Sequence, residues 1–369
     1  MSHDSYRIFR DDIEEPSWCG VSSSPLEYSL QLKYLESVKL LLDAGSPLSH
    51  RKEPPRCQEA ALLEAIECDD VRFMKLTVQA LRLKRSRLYD FAKEQLSETS
   101  WRQLKVSENR VLDKDAMGVQ EALVAFGIQV PDELWVHRTT PTVYHVATPR
   151  FTVEHADILF EAGFHDVDSA DEHRVTPIHY ACAIRLELEP GLDLIDWFRR
   201  KGANFSRIPE NQHSEPAHCV SGFHKVAEFI GRSFFFFFFF LNEFWEENYS
   251  RSSTFTHLEV VSAPLRKSYI LVRSLIQDYR GDACACACAV KGCSPIITLL
   301  KPMSGRSYSL IRESVISLLE AICASEGTLG LPLQVVEDII RFQTFGLLGL
   351  THVVTGIYPI TLVVIVMTG

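Results

Sequence analysis

Two distant stretches of this chain share one internal spacing, and a repeat of that kind constrains the fold before any single motif does. Ser24-Pro25-Leu26-Glu27 leads through Leu30, Leu32 and Leu35 to Val38-Lys39-Leu40-Leu41-Leu42-Asp43-Ala44-Gly45, 21 positions from Ser24 to Gly45. Thr142-Val143-Tyr144-His145-Val146-Ala147 leads to Ala156 and Ile158-Leu159-Phe160-Glu161-Ala162-Gly163, again 21 positions from Thr142 to Gly163. A third copy runs from Thr176-Pro177-Ile178-His179-Tyr180-Ala181 to Trp197-Phe198-Arg199-Arg200-Lys201-Gly202-Ala203. It is longer by five residues, and the surplus falls around Leu186 to Gly191, where Pro190 and Gly191 are expected to mark a turn between two helices. A fourth start is expected at Glu215-Pro216-Ala217-His218, which spaces His145, His179 and His218 by 34 and 39 residues. A weaker copy spans Ala60 to Leu81.

The apolar positions recur at helical period, so each copy predicts a pair of short amphipathic helices. Proline suits the first helical turn, where its missing N–H is not needed, and the threonine or serine before it can cap. Gly45, Gly163 and Gly202 are predicted to end the second helix in left-handed backbone. Together these residues resemble the ankyrin repeat, which opens on Thr-Pro-Leu-His and closes its second helix on Leu-Leu-Leu-x-x-Gly-Ala. The resemblance implies an all-α fold, a degenerate ankyrin-repeat solenoid with a helical C-terminal extension. In such an array each helix pair covers the apolar face of its neighbour. The histidines are expected to hydrogen-bond backbone between loops. Stacking would hold them about 10 Å apart, too far to share a metal.

The expected organisation is a tail over 1–20, two divergent repeats over 21–84, a helical connection over 85–134 and further degenerate repeats over 135–232. A low-complexity insert follows over 233–255, then a helical region over 256–345 and an apolar tail over 346–369. In the connection, Arg87 to Leu96 and Ala116 to Phe126 are predicted helices, the second closed by Gly127 and blocked by Pro131. Val111-Leu112-Asp113, Ala122-Leu123-Val124, Gly127 to Pro131 and Glu161 to Asp168 are similar to a group of filamentous-fungal ankyrin proteins. That likeness covers roughly residues 85–180 and brings no catalytic residues with it. Phe234 to Phe240 is an unbroken phenylalanine run that fits neither a half-buried helix nor an edge strand. A pyrimidine-rich intron retained in the message would be translated into such a run.

Four cysteines form the densest group of potential ligands. Cys284, Cys286 and Cys288 would point to one side of an extended chain, and Cys293 can return through Lys291-Gly292, giving four sulfurs for a structural zinc. The spacing of Cys286, Cys288 and Cys293 also resembles the zinc-binding tail that follows SET methyltransferase domains, whose other motifs the chain does not show. Against zinc, one short loop would have to supply every ligand, and alanine between cysteines suits a packed turn equally well. Gly292-Cys293-Ser294-Pro295-Ile296-Ile297 moreover echoes another helix start of the repeat type.

A net charge of −10 excludes bulk neutralisation of phosphates, so no nucleic-acid partner is expected. The stretch Met1 to Trp18 is polar and acidic, without the apolar core of a secretory signal, which places the chain in the cytoplasm or nucleus. After Arg341 no charged residue occurs, and Leu347 to Met367 is long enough to span a bilayer as a helix, so a tail anchor competes with a buried final helix. Gly349, Gly356 and Pro359 argue against the spanning helix. Nucleophile elbows, phosphate-cradling glycine loops and zinc-protease motifs are all missing from the sequence. The expected function is therefore a non-catalytic protein–protein interaction scaffold, with a zinc-containing regulator and a membrane adaptor as the alternatives. Asp168, Asp171, Glu172, His173 and Arg174, expected to be exposed before Thr176, are the candidate partner-binding residues.

Overall fold

The computed structural model describes residues 24–48, 60–104, 113–136, 142–146, 148–171, 175–184, 188–206, 221–233, 269–278, 292–303 and 331–347, with 281, 312, 315, 316, 319 and 320. Among these residues the regular structure is helical and contains no strand; the protein is all-α. The chain forms α1 (Pro25–Gln31), α2 (Leu35–Asp43), α3 (Ala60–Glu67), α4 (Val71–Gln95), α5 (Glu98–Leu104) and α6 (Asp113–Ala125). It continues with α7 (Val153–Glu161), α8 (Pro177–Ile184), α9 (Leu188–Arg200) and α10 over 222–233. The last described helices are α11 (Tyr269–Gln277), α12 (Pro295–Leu300) and α13 (Leu333–Leu347).

Local chemistry sets the helix ends. Ser24 accepts a hydrogen bond from the Glu27 amide while the Glu27 carboxylate accepts from the Ser24 amide, a closed capping box ahead of Pro25. At the other end, Gly45, Gly163 and Gly202 all have positive φ, as their positions in the sequence predict. Each donates to the carbonyl three residues back, and the next residue donates to the carbonyl five back, as in Gly163 to Phe160 at 3.0 Å and Phe164 to Leu159 at 3.1 Å. Gly127 closes α6 in the same way.

Helices α1 and α2, α3 and α4, and α8 and α9 pack as consecutive pairs. Between pairs, α1 meets α3 and α2 meets α4, then α4 meets α7 and α7 meets α9. Aromatic side chains supply much of the α7–α9 contact. Trp197 donates its indole N–H to Asp157 at 2.7 Å, and Lys201 sits 3.9 Å above the Phe160 ring. Helix α10 lies against both of its neighbours at van der Waals distance. A Cβ on Gly191 would fall 2.2 Å from Phe229, and one on Gly231 would fall 2.3 Å from the Leu299 carbonyl oxygen. One apolar cluster joins these elements from Leu26 through Trp197 and Phe229 to Phe342.

A second, smaller core lies apart from it. Leu88, Ala92 and Leu96 of α4 and its C-cap meet Val119 and Leu123 of α6, with Val130 and Val136 beyond. Helix α4 is continuous through residue 84, so the expected division there falls within one 25-residue helix shared by both cores. Pro190 and Gly191 likewise do not make a turn. They lie in the first turn of α9, where a proline costs no intrahelical hydrogen bond, and the bare glycine makes room for Phe229.

Candidate partner-binding surface

The loops that precede the helix starts are tied together by buried histidines. Tyr144 donates its amide to Thr142 Oγ1 at 3.1 Å, and Thr142 Oγ1 lies 3.2 Å from His145 Nδ1. The other nitrogen of that ring, Nε2, donates to the carbonyl oxygen of Val175 at 3.0 Å. Val175 is the residue immediately before Thr176, where the next copy begins. Thr176 Oγ1 in turn lies 2.8 Å from His179 Nδ1. The arrangement recurs at α10, where Ser221 Oγ lies 2.7 Å from His224 Nδ1 and His224 Nε2 donates to the Cys293 carbonyl at 2.7 Å. Cys293 again stands one residue before a helix cap, Ser294. His145 and His224 therefore each set Nδ1 against the hydroxyl three residues back and give a proton from Nε2 to a backbone carbonyl in the next loop.

Residues 215–218 lie outside the described residues, whereas Ser221-Gly222-Phe223-His224 carries the geometry. The signal was present: a hydroxyl residue three places before a histidine, shared with Thr142 and Thr176.

Among the candidate partner-binding residues, Asp168 and Asp171 are described, and Glu172, His173 and Arg174 lie outside the described residues. Asp168 is half-buried and accepts from the Asn204 amide at 2.8 Å, joining one interhelix loop to the next. Asp171 is not exposed as expected but buried, at 8%. Its carboxylate takes the Val175 amide at 2.8 Å and the Tyr180 hydroxyl at 3.2 Å, so its oxygens are turned inward to close the loop. These two side chains hold the loop in shape.

Of the candidate metal ligands, Cys284, Cys286 and Cys288 lie outside the described residues. Cys293 is a fully buried thiol at the foot of α12. Among the described residues no group of three or more His, Cys, Asp and Glu side chains is placed to hold a metal ion. No described helix is long and apolar enough to cross a membrane.

Charge is unevenly compensated along the surface. Arg72 grips the Asp70 carboxylate through side-chain and backbone hydrogen bonds and holds it down at about 2. Burial alone would raise Glu228, but Lys225, Arg232 and Lys301 beside it outweigh that and lower it. Glu64 is the opposite case. Its burial and the neighbouring Glu27 and Glu67 carboxylates push it up, against one hydrogen bond from Gln31. Glu67 is matched by Arg150, whose guanidinium also reaches the Glu67 carbonyl, and by the Thr148 hydroxyl.

The fold and these contacts define an all-α protein whose described loops are pinned by buried polar side chains; the copy from Thr142 to Gly163, expected to form two helices, forms one, α7. No protein-family model matches the chain, and comparison with curated proteins finds no match.

Proposed function

We propose that this chain is a non-catalytic scaffold that binds another protein through the loops of a degenerate ankyrin-repeat array. One observation carries the reading. A histidine at the start of one copy reaches the backbone carbonyl just before the start of the next, at His145 with Val175 and again at His224 with Cys293. Such a link sets successive loops in register, and the order of helix contacts, pair by pair along the chain, supports the same arrangement. Loops held in register on a helical support suit recognition of a partner's surface, because little ordering entropy is left to lose on binding.

The partner is a folded protein or a peptide rather than a nucleic acid, given the net charge of −10. Glu172, His173 and Arg174 are the side chains offered to it, since Asp168 and Asp171 are committed to the loop itself. The test is quantitative affinity capture from native cells with the full chain and with a Glu172→Ala, His173→Ala, Arg174→Ala variant. The reading expects a stoichiometric protein partner whose capture falls about tenfold or more in a variant of unchanged melting temperature. Capture that ignores the triple substitution would remove this loop from the proposal. Finding no stoichiometric partner at all would remove the proposal itself.

A further inference from the structure

Between Asp70 and Asp90 the chain carries Arg72, Lys75, Arg82, Lys84, Arg85 and Arg87 and no acidic residue, although acidic side chains outnumber basic ones 48 to 38 overall. All six cations lie on one helix, α4. Arg72 is engaged with Asp70, Lys84 is half-buried and Arg85 is buried. Lys75, Arg82 and Arg87 are exposed and make no ion pair with any described residue. Surface cations on other helices are matched within their own helix, as Lys39 is by Glu36 and as Arg199 and Arg200 are by Asp196.

The helical period gathers the three onto the solvent side, opposite the buried row from Phe73 through Leu81 to Leu88. Lys75 to Arg87 covers about 18 Å along the axis. Leu83, 51% exposed, stands beside Arg82 and one turn before Arg87, so an apolar side chain sits among the charges. Arg72 with Lys75, Arg82 with Arg85 and Lys84 with Arg87 are like charges three residues apart, which repel on a helix. An anionic occupant would relieve that repulsion. The Debye length is about 8 Å at physiological ionic strength, so a ligand confined to α4 meets this face rather than the net charge of −10. A long polyanion or an anionic bilayer would reach past the face to the acidic remainder of the chain.

We propose that the exposed face of α4 is a second docking surface, for a short acidic helix of a partner protein. Its carboxylates meet Lys75, Arg82 and Arg87, and one apolar side chain packs on Leu83. The cations recur at helical spacing along one axis, so a helix laid alongside can present carboxylates at matching intervals. The apolar contact excludes water at the centre, and the surrounding charges set orientation and encounter rate. The inference goes beyond the scaffold reading, since α4 holds none of the loop residues assigned to the partner there.

The test is fluorescence anisotropy of the full chain with a labelled helical peptide of about four turns, glutamate-rich on one face with a single central leucine. It compares wild type with Lys75→Gln/Arg82→Gln/Arg87→Gln and, separately, Leu83→Ala. All four positions are exposed, so both variants keep the fold. The expected result is saturable binding that weakens about tenfold or more in the triple variant and about threefold or more in Leu83→Ala. Absence of saturable binding, or binding indifferent to both variants, overturns the proposal. Binding that follows the charges but ignores Leu83 means attraction without a docking face, and overturns it too. So does binding lost instead in Glu172→Ala/His173→Ala/Arg174→Ala, which would put the peptide on the other surface. Tighter binding of a single-stranded oligonucleotide or of phosphatidylserine vesicles through the same cations would make a polyanion or a bilayer the occupant, and would likewise overturn it.

Discussion

His224 uses both ring nitrogens inside the core, one toward the Ser221 hydroxyl and one toward the Cys293 carbonyl. Removing the ring would leave that carbonyl buried without its donor, which costs about 1–3 kcal/mol. His224→Ala should therefore lower the urea midpoint with little change in slope, and an unaltered midpoint would show that the contact is not made. Glu64 gives a prediction of opposite sign. A carboxyl whose value is raised on folding stabilises the fold below its unfolded pKa, and that contribution is lost as pH rises through the folded value. Glu64→Gln should thus be the more stable form at pH 7, by about 0.5 kcal/mol or less because the side chain is partly solvated. Thermal melts over a pH series should show the difference closing as the pH falls into the carboxylate range. Most of this residue-scale detail could be read in the sequence only as type and position. Thr176-x-x-His179 announced a capped helix start, but nothing in the letters says that His145 reaches Val175 or that Asp171 turns inward.

Between helices, two glycines act through absence. Gly231 lets α10 approach the Leu299 carbonyl so closely that any Cβ would overlap it, and a backbone atom cannot swing aside. Gly231→Ala should cost about 1–3 kcal/mol by forcing α10 and α12 apart, a loss visible in denaturant titration; a neutral result would mean the helices are not in contact there. The second core makes a separate prediction. Leu123 is fully buried between α6 and α4, and Leu123→Ala should cost the lobe about 2–5 kcal/mol. Exchange should accelerate in α5 and α6 while α8 and α9 keep their protection, and uniform acceleration would show one core where the structure has two. Helix ends were the most legible elements, because Gly45, Gly163 and Gly202 each demand left-handed backbone. The continuity of α4 was not legible. Its two halves carry apolar faces toward different cores, so the periodicity breaks where the helix does not.

Across the whole molecule, all-helical character follows from repeated short amphipathic segments, and it was readable before any contact was known. The order of packing is another matter, because period fixes which face of a helix is apolar and not which helix covers it. The central claim is that stability here passes from pair to neighbouring pair. Ile195 is fully buried in α9, midway along the chain, and Ile195→Ala leaves a cavity there. Native-state hydrogen exchange of this variant, resolved helix by helix, reads the claim directly. A row of pairs predicts protection reduced about tenfold or more in α7, α8 and α10, and less than about threefold in α1 and α2. Equal loss of protection in every helix from α1 to α12 would mean a single cooperative globule and would contradict the account.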